Sequence, residues 1–287
     1  MRFMEDRLTT FTASDQSQRS VHVWSPQAPR AVILGIHGGM AHAGDFVTPA
    51  LYFRDRGIAT VSYDLCGHGK LARVDIPGFY VFLADTELFL AWLKTQYPDQ
   101  PIFLMGHSMG ALIAAHLELG RFAGNPDIKG IILSSPYFVN AVRVPRVLVA
   151  LSSVLARMFP TAKVPMESLT QSLTHDTAIL ARHYADEQDN IRASEVSFRF
   201  AAALLSAQAA LRGELSAWRH PTFAVLAGDD KLANAQAARS MLETMPHQLL
   251  ELHWHRENYH ENFNERNRET TFRDIEVWLE KILASAS

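Results

Sequence analysis

Gly106-His107-Ser108-Met109-Gly110 fits the pattern G-x-S-x-G and lies between a run that predicts a strand (102–105) and one that predicts a helix (109–119). In that setting the pattern describes a nucleophile elbow. The tight turn forces the serine into a strained backbone conformation with its hydroxyl above the sheet edge. The two glycines remove side chains where strand and helix close on each other. The helix begins just behind Ser108, so its free N–H groups and dipole face any negative charge that develops there. An ordinary strand–helix turn can hold the same residues, so the motif needs partners before it means chemistry.

A serine hydroxyl is a poor nucleophile until a base takes its proton. On this kind of elbow the partners follow in the order serine, acid, histidine, and the chain supplies them. The run 222–226 ends at Gly228-Asp229-Asp230. Asp230 is the candidate orienting carboxylate, and Asp229 reads as a turn residue that caps the next helix. His260 follows the last predicted strand, just before the final helix, where a general base belongs. That position separates it from His247, His253 and His255 among the chain's 13 histidines. If His260 is the base, activity falls in acid as the imidazole takes up a proton. Acyl transfer also needs donors aimed at the tetrahedral oxyanion. The turn His37-Gly38-Gly39-Met40 after the first buried run offers the Gly39 N–H, and the elbow offers the Met109 N–H. His253-Trp254-His255 would set two imidazoles on one face of a strand. No cysteine or second ligand cluster accompanies them and no His-Glu-x-x-His spacing occurs, so neither a metal nor another cofactor is expected.

The elements that must position these groups alternate along the chain. Short β-like runs at 8–12 and 20–24, with turn residues between them, predict an antiparallel hairpin. The continuous apolar run 31–36 predicts a strand buried on both faces, as in a parallel sheet, and further strands are read at 58–63, 102–105, 128–133, 222–226 and 249–253. Helical spacing appears at 79–97, 109–119, 236–245 and 272–283. This is an α/β pattern with a largely parallel sheet of eight strands. Between Tyr137 and Ala217 the rhythm stops. That stretch carries helical patterns and no strand signal, punctuated by Pro145, Pro160 and Pro165. It reads as an inserted helical lid, 137–217, on a core formed by 1–136 and 218–287.

Composition narrows the function classes. The chain has 287 residues, and 27 basic against 30 acidic side chains leave a net charge of −3. That balance argues against a nucleic-acid binder or a polybasic membrane-surface protein. Cys66 is the single cysteine, so no intrachain disulfide can form. Glu5 and Asp6 arrive too early for a secretory signal, and no run is long and apolar enough to span a bilayer. The simplest compartment is the cytoplasm, with peripheral membrane contact as an option.

With these residues in place, the chain resembles serine hydrolases of the α/β-hydrolase superfamily. More narrowly, it is similar to the monoacylglycerol lipase and lysophospholipase-like group that sequence classification files with the serine aminopeptidases. The landmarks are His37-Gly38, the turn Asp64-Leu65-Cys66-Gly67-His68-Gly69, Gly106–Gly110, Gly228-Asp229-Asp230, His260-Glu261 and the lid segment 172–176. Cys66 stands where the family usually has arginine, Lys70 where a small polar residue is usual, and Asn234 where aspartate is common. These departures touch local packing and a helix start rather than chemistry, and Cys66 reads as a partly buried spectator. The resemblance implies a carboxylic ester hydrolase acting on a single-chain acyl ester, of monoacylglycerol or lysophospholipid type, through an acyl-enzyme on Ser108. The same triad would also serve a short-chain or aromatic carboxylesterase, a thioesterase or an acyltransferase. A non-catalytic receptor on the same fold has no need of all three side chains. Apolar lid residues, among them Leu151, Leu155 and Phe198, are expected to line an acyl tunnel. Arg143, Arg146 and Arg157 flank the first lid stretch and suit transient contact with anionic headgroups. The oligomeric state is not legible.

Overall fold

The computed structural model describes residues 2–70, 74–141, 154–165, 169–211 and 215–285. Eight strands form one sheet: β1 Arg7–Thr12, β2 Gln18–Trp24, β3 Ala31–Ile36, β4 Ile58–Tyr63, β5 Ile102–His107, β6 Ile128–Ser134, β9 Thr222–Ala227 and β10 Leu250–His255. Their order across the sheet is β1-β2-β4-β3-β5-β6-β9-β10. β1 and β2 form the antiparallel hairpin, β2 joins β4 antiparallel, and every later pairing is parallel. Every residue of β3, β4 and β9 is buried. This is why β3 runs continuously apolar instead of alternating, while β4 and β9 bury the hydroxyls of Thr60, Ser62 and Thr222 as well.

Helices cover both faces of the sheet: α1 Val47–Arg54, α2 Tyr80–Gln96, α3 Met109–Glu118, α6 Ala235–Leu242 and α7 Arg268–Ser285. Aromatic and aliphatic side chains fill the two interlayers. Phe89, Leu112 and Leu117 lie on one side, and Phe53, Phe103, Phe272 and Trp278 on the other. α1 carried no helical signal in the sequence. Its eight residues include Val47, Thr48 and Pro49, poor helix formers that are tolerated in a first turn.

The insertion contributes β7 Lys163–Pro165, α4 Thr177–Gln188, β8 Glu195–Ser197 and α5 Phe198–Ala210. β7 and β8 pair antiparallel as a small separate sheet, so the expectation of a purely helical insertion needs correction. Three-residue strands are too short to display a period of two, and one of these contains proline. Leu151, Arg143 and Arg146 lie outside the described residues.

Candidate active site

The candidate groups sit at the carboxyl ends of the parallel strands, where open α/β sheets gather their ligands. Ser108 follows β5, Asp230 lies past β9, His260 past β10, and Gly39 past β3. Ser108 has φ +55° and ψ −117°, a conformation that L residues hold only when their surroundings enforce it. The enforcement comes from close packing. A Cβ at Gly110 would stand 1.9 Å from the Ile36 carbonyl oxygen, and one at Gly106 would stand 2.6 Å from the Gly110 carbonyl oxygen. The Ser108 N–H donates to the Ser134 carbonyl at 2.9 Å, which fixes the turn to β6.

Ser108 Oγ donates to His260 Nε2 at 2.8 Å, and His260 Nδ1 donates to Asp230 Oδ2 at 2.7 Å. Asp230 Oδ1 accepts the N–H groups of Leu232 and Ala233, at 2.8 and 2.9 Å. Burial raises the Asp230 carboxyl pKa, but His260 and those N–H donors outweigh it, so the group is held below its usual range. An ionised carboxylate selects the histidine tautomer that leaves Nε2 free to accept from serine. Asp229 points away and pairs with Lys231. The cap of α6 is Asn234, which accepts from Ala237 N at 2.9 Å. The reading of Asp229 as the helix cap is therefore corrected: the cap lies five residues further along, at Asn234.

Gly38 and Gly39 lie over the elbow. A Cβ on Gly38 would meet Ser108 Cβ at 3.3 Å, and one on Gly39 would meet the Met109 side chain at 3.7 Å. Among the described residues neither the Gly39 nor the Met109 N–H has an acceptor. Two unspent, preorganised donors beside a serine hydroxyl suit a developing oxyanion. The next residue, Met40, takes φ +64°. Side chains hold this loop: His37 Nδ1 donates to the Gly38 carbonyl at 2.8 Å, and His37 Nε2 accepts from Leu65 N at 3.0 Å. Asp64 Oδ1 accepts from Ala43 N at 2.8 Å. The Asp64–Gly69 turn thus buttresses the Gly39 loop. Cys66 is buried in that turn, and burial raises its thiol pKa.

The loop that carries His260 is stitched with polar side chains. Asn262 Nδ2 donates to Ser135 Oγ at 2.9 Å, Asn258 Nδ2 to Asn262 Oδ1 at 2.8 Å, and Thr174 Oγ1 to the Asn264 carbonyl at 2.8 Å. His107 packs its ring 4.9 Å from that of His260, and burial pushes its pKa down to about 4. It therefore stands as a neutral wall beside His260.

A cavity of about 60 Å³ opens at Ser108. Ala41, Phe46, Leu173, Leu232 and Phe263 give it apolar walls, and Asp45, Arg192 and Glu261 give it a charged side. Leu155 and Phe198 do not line it. The charged side escaped the sequence because its members come from three distant segments, none in a recognisable spacing. Among the described residues His42, Asp45 and Asp186 stand close enough together to hold one cation. Arg192 and Arg2 already occupy the two carboxylates, each at 2.5 Å. With both carboxylates already paired to arginine, the trio reads as an ion-pair cluster.

A family model described as "Serine aminopeptidase, S33" matches residues 27–267. The chain belongs to this family. It is 30% identical over 265 residues to Phospholipase YtpA of Bacillus subtilis, covering 91% of this chain and 99% of that one. It is 26% identical over 277 residues to Monoglyceride lipase of Homo sapiens, covering 92% and 87%. Among solved structures, the monoglyceride lipase of Saccharomyces cerevisiae superposes with TM-score 0.81 at 21% identity, covering 97% of this chain and 95% of that one. The monoacylglycerol lipase of Paleococcus ferrophilus gives 0.80 at 18% identity, covering 93% and 99%. The fold is that of the α/β hydrolases, and the protein is a serine hydrolase of the lipase and esterase type. No helix among the described residues is long and apolar enough to cross a membrane.

Proposed function

We propose that this chain hydrolyses single-chain acyl esters, of monoacylglycerol or lysophospholipid type, through an acyl-enzyme on Ser108. The observation that carries this reading is the continuous relay from Ser108 Oγ to His260 to Asp230, at 2.8 and 2.7 Å. In the acylation step the Ser108 oxygen attacks the ester carbonyl as its proton passes to His260 Nε2. The carbonyl oxygen becomes an oxyanion held by the Gly39 and Met109 N–H groups. The intermediate then expels the alcohol, which takes the proton from His260. Water, deprotonated by the same nitrogen, attacks the acyl-enzyme. A second oxyanion collapses, and the fatty acid leaves as Ser108 regains its proton. Asp230 holds the imidazole in the right tautomer and faces the positive charge that appears on it. The names of the relatives support a lipid ester as substrate, with both a phospholipase and monoglyceride lipases among them.

In this reading the segment 137–217 is a cap over the site. Its described part exposes Val154, Met158 and Phe159 around Arg157, an apolar patch suited to a lipid surface. Flotation with anionic liposomes tests that contact, and protein remaining at the bottom of the gradient would remove it. The substrate reading is tested by a panel of esters of increasing acyl length, run on the wild type beside Ser108→Ala. Long-chain monoacyl esters should turn over fastest and the variant should be inert. A short-chain or thioester optimum would overturn the substrate class. An active Ser108→Ala would overturn the mechanism.

A further inference from the structure

Arg192 is a buried cation for which the relay has no use. It lies between α4 and β8, in the insertion, and is 7% exposed. Its Nη2 donates to Asp45 Oδ2 at 2.5 Å and to His183 Nδ1 at 3.0 Å, and lies 3.7 Å from Glu261 Oε1. His183 passes the connection on, because its Nε2 donates to Glu261 Oε2 at 2.8 Å. Asn264 Nδ2 donates to the same oxygen at 2.7 Å. Asp45 stands on the loop that carries Gly39, and Glu261 directly follows His260. One guanidinium therefore grips the loop of an oxyanion donor and, through His183, the loop of the base.

Backbone bonds repeat the pattern. Ala193 N donates to the Met40 carbonyl at 3.0 Å, beside Gly39, and Glu261 N donates to the Leu173 carbonyl at 2.8 Å. The insertion thus reaches both loops twice, once through side chains and once through main chain. Met40, held at φ +64°, needs such support, since a left-handed non-glycine residue persists only where its neighbours impose it. Two cavities, of about 60 and 70 Å³, meet along this bridge and share Gly39, Leu173, Arg192 and Leu232.

We propose that Arg192 is a positioning residue for ester cleavage: it is the strut that sets the separation between the Gly39 loop and the His260 loop. This rests on the reading of Ser108, His260 and Gly39 given above. A strut acts on every ester alike and shows itself in kcat. A residue that binds the alcohol portion of the substrate would show itself in KM, and only for esters whose alcohol carries hydroxyls.

The test compares the full-length wild type, Ser108→Ala, Arg192→Met and Arg192→Lys on p-nitrophenyl acetate and on a monoacylglycerol, with thermal melts to verify folding. Displacing reacting groups by about an ångström can cost on the order of 10²-fold in rate. Arg192→Met should accordingly lose about 100-fold in kcat on both esters with KM within about threefold, and Arg192→Lys should recover at least a tenth of the wild-type kcat. A kcat loss under about tenfold would overturn the strut, as would a loss confined to KM for the monoacylglycerol or a lysine variant no better than methionine. If Arg192→Met does not fold, Glu261→Gln serves in its place, because it keeps the shape and removes the charge. A loss of about tenfold or more in kcat supports the strut, and a smaller one overturns it. An active Ser108→Ala would instead sink the nucleophile assignment. The two failures are thereby distinguishable.

Discussion

α3 and α4 are of similar length and are held in place by different means. α3, which begins at Met109, buries nine of its ten residues, nearly all of them apolar. α4, in the insertion, buries two of its twelve residues, His183 and Asp186, and both are ionisable. The first helix is fixed by the hydrophobic effect, which has no direction and tolerates small adjustments. The second is fixed by a few oriented charge contacts that hold only in one geometry. On the proposed reading, the elbow that carries Ser108 rests on the first kind of contact, and the segment proposed as its cap is joined by the second at discrete points. Those points are the Gly39 loop and the His260 loop.

Four perturbations sharpen this contrast, beginning with the largest. At the relay beside the elbow, His260→Ala should lower kcat for ester hydrolysis by about 10⁴-fold or more, as in serine triads generally. Steady-state assays with an activated ester would show it, and a loss under about tenfold would remove His260 from the chemistry. Next comes packing: Phe103, fully buried under the sheet, should cost about 3–5 kcal/mol when changed to alanine. Denaturant melts measure that, and a cost under about 1 kcal/mol would mean that the core is not carried by burial.

The third perturbation is pH. His68 is buried, and burial pushes its pKa down to about 4. The folded state therefore binds its proton less readily than the unfolded chain, whose histidines titrate near 6.5. Stability from this residue is fully present above about pH 6.5 and is lost as pH falls from there towards 4, by about 2 kcal/mol between pH 6.5 and 5. His68→Asn should flatten that part of the stability profile, and an unchanged slope would contradict the assignment. The smallest effect belongs to the surface of the insertion. Arg199 pairs with Asp75 at 2.6 Å, partly exposed to water, and Arg199→Ala should cost no more than about 1 kcal/mol by the same melts.

The same contrast explains what was legible in the sequence. The runs 31–36 and 58–63 match β3 and β4 residue for residue, and burial on both faces leaves an unbroken apolar record in β3. The meeting of Ser108, Asp230 and His260 as a candidate site was legible because each follows a strand, in a fixed order along the chain. α1 was hidden by proline and β-branched residues in its first turn. The bridge through Arg192 was hidden for another reason. Asp45, His183, Arg192 and Glu261 are ordinary surface types in a sequence, and only folding reveals that they meet. Apolar periodicity, which marks the strands of the sheet, carries no information about them.

The central claim is that Ser108, deprotonated by His260, is the nucleophile. Its most direct test is intact-protein and peptide mass spectrometry after brief exposure to a fluorophosphonate. The account predicts a single phosphonyl adduct on the peptide containing Ser108, absent from Ser108→Ala and formed far more slowly in His260→Ala. Labelling at another residue, or equal labelling of Ser108→Ala, would contradict it.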